Sequence, residues 1–201
     1  MTDKEIMSSI EIMEDDHAVI NRMLLVIRDM CCGILEGAEI VPEDHRQIID
    51  FCRKFADEHH HAKEEKFLFP EMVSRLGRIA ENLVTHGMLV EHDRGRAHVL
   101  AWETALAEYE KDPKTEHKLD VITEAMGYAH QMQMHTEKED NVVYPFALRS
   151  LPIEVIEDID RRTLEFEEKQ KADGIKEKYL DILKTMENKY LTVNCKMKLN
   201  T

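Results

Sequence analysis

Several things are scarce in this chain of 201 residues. No apolar run approaches the ~20 residues that a bilayer-spanning helix requires, which excludes an integral membrane protein of helical type. Aromatic residues make up only 6%, with 7 Gly and 5 Pro. Sheet proteins draw on aromatics and on turn formers, so this composition predicts helices joined by short turns. Basic residues are in deficit, 27 against 41 acidic ones, which leaves a net charge of −14. Such a surface repels phosphate, and nucleic acid and anionic membranes are therefore excluded as expected partners. Cysteine is also sparse. Cys31, Cys32, Cys52 and Cys195 contain no C-x-x-C pair, so neither a thiolate zinc site nor a thioredoxin-like motif is expected. The simplest expectation is reduced thiols in a cytoplasmic protein. The opening stretch MTDKEIMSSIEIMEDD agrees, because it has no basic start and no long apolar segment.

Histidine is what the chain has in abundance, at 11 residues, and its placement follows a helical period. Apolar residues at alternating spacings of four and three mark a helix face turned to a core. In the first segment that face is Ile6, Ile10, Met13, His17, Ile20, Leu24, Ile27, Cys31 and Ile34, with a capping box expected from Ser8 and Glu11. The third gives Met88, His92, Gly95, Val99, Trp102, Leu106 and Tyr109. The fourth gives Val121, Ala125, Tyr128, Met132, His135, Glu139, Val142 and Phe146. The second segment, from Pro42 to about Gly77, is less clean. Its histidines His59, His60 and His61 span roughly 200° of a helix surface, which predicts that they cannot all face inward. Pro70 is expected to kink this helix or break its last turns.

The expected architecture is all-α: an antiparallel up-down-up-down four-helix bundle over residues 1–150, with an appended C-terminal helical hairpin over 151–201. Turns near residues 39, 77 and 113 set the register. Counted outward from each turn at about 1.5 Å per residue, His17, His60, His92 and His135 fall at one level within roughly 3 Å. The hairpin is expected to split at Asp173-Gly174, with a frayed tail after Tyr190.

Two stretches repeat one pattern. HHAKEEKFLFP (60–70) laid on HTEKEDNVVYP (135–145) aligns His60 with His135, Lys63 with Lys138, Glu64 with Glu139 and Pro70 with Pro145. A His and a Glu four apart share a helix face. Two inward glutamates beside four inward histidines demand a cation, because an unpaired buried charge is costly. Imidazole with carboxylate and no thiolate suits iron, zinc or manganese. Two carboxylates can bridge two metals while four histidines supply two terminal ligands to each, so the donor count favours a dinuclear site. His45, His98, His117 and His130 read as surface residues.

The set His17, His60-x-x-x-Glu64, His92 and His135-x-x-x-Glu139 resembles the hemerythrin-like, or HHE cation-binding, family over roughly residues 8–150. HHAKEEKFLFP is similar to that family's second-helix motif, EHDRGR (91–96) to its third and HTEKEDNVVYP to its fourth. The resemblance implies two non-haem iron ions, oxo- or hydroxo-bridged, with Glu64 and Glu139 as bridges and the four histidines as terminal ligands. It implies dioxygen, hydrogen peroxide or nitric oxide as the reacting partner, for sensing or detoxification, with peroxidase- or oxidase-like activity left open. A protein partner or self-association through the C-terminal helices is a further expectation. One departure stands out. Oxygen-carrying members use five histidines, with His-x-x-x-His on the third helix, whereas Met88 and Arg96 occupy the places four away from His92. His61 or His86 could fill the gap, although a solvent-facing histidine is the default expectation for each. Outer partners of the ligands are expected among Asp16, Glu91, Tyr128 and Tyr144. A competing reading is a ferritin-like iron-oxidising site, motivated by Glu14-x-x-His17 and Glu58-x-x-His61. Another is a metal-dependent signalling module whose iron or oxygen state governs a partner.

Overall fold

The computed structural model describes residues 7–191, which form six helices and no strand. They are α1 (Ser9–Leu35), α2 (42–75), α3 (77–111), α4 (115–150), α5 (Ile153–Ala172) and α6 (Ile175–Tyr190). Ile6, Cys195 and the tail beyond residue 191 lie outside the described residues. The capping box is formed: the Ser8 N–H donates to Glu11 at 2.7 Å and the Glu11 N–H to the Ser8 hydroxyl at 3.3 Å, so two orphan donors of the first turn are satisfied. Pro42 opens α2, where a missing N–H costs nothing. Gly77 and Gly174 take φ +65° and +67° at the α2–α3 and α5–α6 turns, a left-handed conformation that glycine adopts without a Cβ clash.

α2, α3 and α4 are not uniform α-helices. Wider π-helical turns occupy Cys52–His61 and Glu64–Leu68 in α2, Val84–Met88 in α3 and Glu139–Val143 in α4. Two of these have a visible cause. Pro70 and Pro145 have no N–H to give to the ladder. Just before each, the N–H of Phe69 bonds back to the Glu64 carbonyl and that of Tyr144 to the Glu139 carbonyl. The wide turn thus starts at the motif glutamate in both copies of the repeat. Such turns shift the phase of everything they contain. They explain two corrections. All three of His59, His60 and His61 are buried, since a π turn rotates successive residues by less than an α turn does. In α4 the core positions move to Val143 and Ala147, while Val142 is exposed and Phe146 only partly buried.

Every other periodic position of α1, α3 and α4 within the described residues is buried as expected. The core divides into two apolar clusters. One gathers Ile20, Ile27, Phe55, Val99, Trp102 and Met132 with their neighbours. The other gathers Met13, Leu68, Phe69, Met88, Val143 and Ile159. Each of α1 to α4 passes from one cluster to the other through a short polar stretch: His17, His60 to Glu64, His92, and His135 to Glu139. The C-terminal helices have no core of their own. Tyr179, Leu183 and Met186 of α6 belong to the first cluster and Ile159 of α5 to the second. No helix among the described residues is long and apolar enough to cross a membrane.

Candidate metal centre

The polar stretches meet in one buried layer. His17, His60, Glu64, His92, His135 and Glu139 are each at most 1% exposed, and His61 joins them at 3%. Donor atoms fall into two groups, each within 4.8 Å: His61, Glu64, His92 and His135 in one, His17, His60 and Glu139 in the other. The glutamates reach across the division. One Glu64 oxygen lies 3.4 Å from His92 Nε2 and 3.8 Å from His60 Nε2. Glu139 lies 3.2 Å from His17, 3.3 Å from His135 and 3.8 Å from His92. His86, the other candidate for a fifth histidine, is exposed and stands apart from this layer.

The outer ring nitrogens reveal how the layer is held. His17 Nδ1 meets Asp140 at 2.6 Å, His61 Nδ1 meets Asp57 at 3.2 Å, His92 Nδ1 meets Glu65 at 2.7 Å and His135 Nδ1 meets Glu91 at 3.0 Å. A carboxylate can only accept, so each of these rings carries a proton on Nδ1 and turns its Nε2 inward. His60 Nδ1 faces Asp16 at 3.7 Å, too long for a hydrogen bond. Cations neutralise four of the five carboxylates: Arg96 pairs with both Asp57 and Glu65, Lys138 with Glu91 and Lys63 with Asp16. Of the outer partners expected from sequence, Glu91 takes such a place, Asp16 faces His60 without bonding it, and Tyr144 donates to Glu64 at 2.7 Å. Tyr128 instead lines the cavity beside the layer, together with Cys52. Asp57, Glu65 and Asp140 were missed. The last two follow directly on Glu64 and Glu139, and Asp57 precedes His61 by four, which is a readable helical pair.

The carboxylates set the proton affinities. Burial works against a proton on His17, but Asp140 and Glu139 outweigh it and raise its pKa to about 10. Burial is likewise outweighed at His92, which Glu139, Glu64 and Glu65 raise to about 11. His61 is pushed the other way, by burial first and then by His92 and His135. Glu91 is lowered to about 2, chiefly by its bond to His135. The layer therefore demands positive charge, and a proton on His17 or His92 is the substitute that a cation displaces.

The fit to a metal rests on unsatisfied atoms. His61, His92 and His135 Nε2, one Glu64 oxygen and both Glu139 oxygens are buried without a hydrogen-bond partner. Six such atoms in one layer are far more than a stable core tolerates, unless an ion takes them up. Imidazole with carboxylate, and no thiolate, is a donor set for iron, zinc or manganese. Glu14 and Glu58, which a ferritin-like spacing would use, are exposed. Beside the layer a cavity of about 240 Å³ opens between α2 and α3, with buried Cys52, His61, His92, Val99 and Tyr128 in its wall.

No curated protein and no solved structure gives a significant match to this chain. A family description does: hemerythrin HHE cation binding domain, over residues 8–147, which takes in α1 to α3, α4 as far as residue 147, and every histidine and glutamate of the buried layer. The chain belongs to the hemerythrin HHE cation-binding family.

Proposed function

We propose that the protein holds two non-haem iron ions in this layer and binds or reacts with a small oxidant there: dioxygen, hydrogen peroxide or nitric oxide. The ligands on this reading are His17, His60, Glu64, His92, His135 and Glu139, with Glu64 and Glu139 bridging. His61 completes the larger group, supplying from α2 the fifth imidazole that carrier-type relatives take from the third helix. The observation that carries the reading is the set of inward atoms without partners, each histidine but one held by a carboxylate on its far side. In this reading α1 to α4 run up-down-up-down over residues 1–150, residues 151–201 form the extension, and the protein works in the cytoplasm.

Bound iron supplies Lewis acidity and one-electron redox chemistry. The rest falls to the chain. The two apolar clusters on either side of the layer keep bulk water away. Tyr144 holds a proton at its hydroxyl, donated to Glu64 at 2.7 Å and lying 3.4 Å from His17 Nε2. Burial, then Glu64 and Glu139, push its pKa well above 10, so that proton stays in place at neutral pH. The cavity beside His61 and His92 gives a small molecule an approach from solvent. Its mouth carries Arg53, Asp57, Glu58 and Arg96, and each is already ion-paired, so it favours no ionic charge.

The test is metal content with an optical spectrum on anaerobically purified protein, before and after air. The expected result is two irons per chain with near-ultraviolet bands growing on oxidation. A single tightly held zinc and a silent spectrum overturn the reading. Sensing and detoxification then separate by turnover: repeated peroxide consumption marks an enzyme, whereas an oxygen-dependent change in protease sensitivity near residue 150 marks a signalling module with a protein partner.

A further inference from the structure

The support of His60 differs from that of the other histidines. Asp16, which faces its Nδ1 at 3.7 Å, is fully buried, and its Oδ2 accepts from Lys63 at 2.5 Å. Lys63 is itself fully buried, and its ammonium has two further neighbours: His59 Nε2 at 3.2 Å and the carboxylate of Glu167. Lys176 reaches the other Asp16 oxygen at 3.2 Å. Asp16, His59 and Glu167 come together as a metal site would, but the cation between them is the chain's own ammonium. Glu167 lies on α5 and Lys176 on α6. Both stand beyond residue 147, where the family match ends.

The second copy of the repeat shows what is unusual here. Lys138 occupies the place of Lys63 and pairs with Glu91, which holds His135 at 3.0 Å. That unit is closed within α3 and α4. In the first copy the same lysine is shared between Asp16 and a carboxylate from the C-terminal hairpin. Sharing matters because a buried ammonium facing one carboxylate would bind it fully. Glu167 draws part of that charge away from Asp16, whose Oδ2 stands 3.7 Å from His60 Nδ1, within ion-pair reach though beyond a hydrogen bond.

We infer that Glu167 is a positioning residue of the metal centre, acting through Lys63 and Asp16 on His60, and that it couples the C-terminal hairpin to the group His17, His60 and Glu139. The inference rests on the metal-centre reading. Coupling is reciprocal: if docking of α5 strengthens metal binding, metal binding strengthens docking of α5.

The experiment titrates cobalt(II) into full-length metal-free protein, with a competing chelator and the visible spectrum as readouts. Hydrogen exchange over residues 153–190 is followed with and without cobalt. Wild type is expected to take two equivalents and to slow exchange in α5 when loaded. Glu167→Gln is expected to bind one equivalent as wild type does and the other about 10-fold more weakly, the cost typical of losing an outer partner. Its α5 exchange should no longer respond to metal, and Glu167→Asp should restore part of both effects. Lys178→Ala, which removes a hairpin contact to Asp50 outside this network, should leave both equivalents unchanged. Glu167→Gln with both affinities within twofold of wild type and the same α5 response overturns the inference alone. Wild type that takes up no metal overturns the metal-centre reading and this inference with it.

Discussion

His45 and His92 are both fully buried, at 0% exposure, in different parts of the molecule. His45 lies against the large apolar cluster, edge-on to Trp102, and its Nδ1 accepts from the Trp102 indole N–H at 3.0 Å. Its proton must therefore sit on Nε2. His92 is wired the opposite way: Nδ1 gives its proton to Glu65 at 2.7 Å and Nε2 faces Glu64 and Glu139. The charge state follows. Burial drives the pKa of His45 down to about 4, only weakly opposed by Asp44, whereas the carboxylates around His92 raise it to about 11. Burial alone thus produces a neutral core residue. A carboxylate behind the ring, with two more in front, produces a histidine that holds positive charge, the surroundings a cation needs.

Breaking the charged layer should have the largest effect. His92→Ala removes a donor that lies between both glutamates and, on the proposed two-iron reading, is expected to lose at least one metal, read by metal analysis after gel filtration. Removing metal from wild type with a chelator should lower stability by about 4 kcal/mol if free metal stood ~1,000-fold above its Kd. Denaturant melts of loaded and stripped protein measure this. An unchanged midpoint would mean that the layer is satisfied without a cation.

His45 supplies the counterpart, a pH effect independent of metal. The unfolded chain takes up a proton at this residue below pH 6.5, while the folded chain does so only near pH 4. Between these values the unfolded state binds more protons, so stability falls as pH drops through that window. The full difference is about 3 kcal/mol. His45→Gln keeps an acceptor for Trp102 and is expected to flatten this part of the stability-against-pH curve without altering metal content. A mutant curve as steep as that of wild type would place the acid sensitivity elsewhere.

How much of this contrast could be read from sequence depends on which period a residue obeys. His17, His92 and His135 sit on clean four-three faces, and the repeat selects His60 with Glu64 and Glu139. The prediction for His61 failed because a 100° step assumes an α-helix, and the i→i+5 bonding of Cys52–His61 changes that step. Pro70 and Pro145 mark the wide turns that start at Glu64 and Glu139, not the one over Cys52–His61 that buries His61. His45 was misread as a surface residue because α2 lacks a clean face and its Trp102 partner is 57 positions away. Asp57 and Glu167 depend on how helices are brought together, which local spacing does not encode. The C-terminal helices looked like an addition, yet they share both apolar clusters and touch the layer through Lys63.

Glu91 is the carboxylate that holds the His135 ring from behind. Glu91→Gln keeps an acceptor for His135 but removes the charge that steadies it, and it frees an amide to donate instead. Metal affinity is expected to fall about 10- to 100-fold, as for other outer partners. A competition titration with a chelator gives the value, and a loss below twofold would leave the carboxylate no part in holding the ring.

The smallest effect should come from the lysine that the repeat places beside each glutamate. Lys138 and Lys63 align in sequence, but their surroundings differ: Lys138 is 40% exposed and pairs with a 20% exposed Glu91, while Lys63 and Asp16 have no exposure. An ion pair in contact with water contributes about 0–1 kcal/mol, because solvent screens it and side-chain entropy opposes it. Lys138→Met should therefore change stability by no more than that and metal affinity by about twofold or less. Lys63→Met removes the buried one of Asp16's two cations and leaves only Lys176, 3.2 Å from its other oxygen, a loss toward the lower end of the roughly 3–5 kcal/mol that breaking a buried pair costs. Paired denaturant melts of the two variants measure the difference. Equal losses would mean that the motif lysines act alike and that burial does not separate the two halves of the repeat.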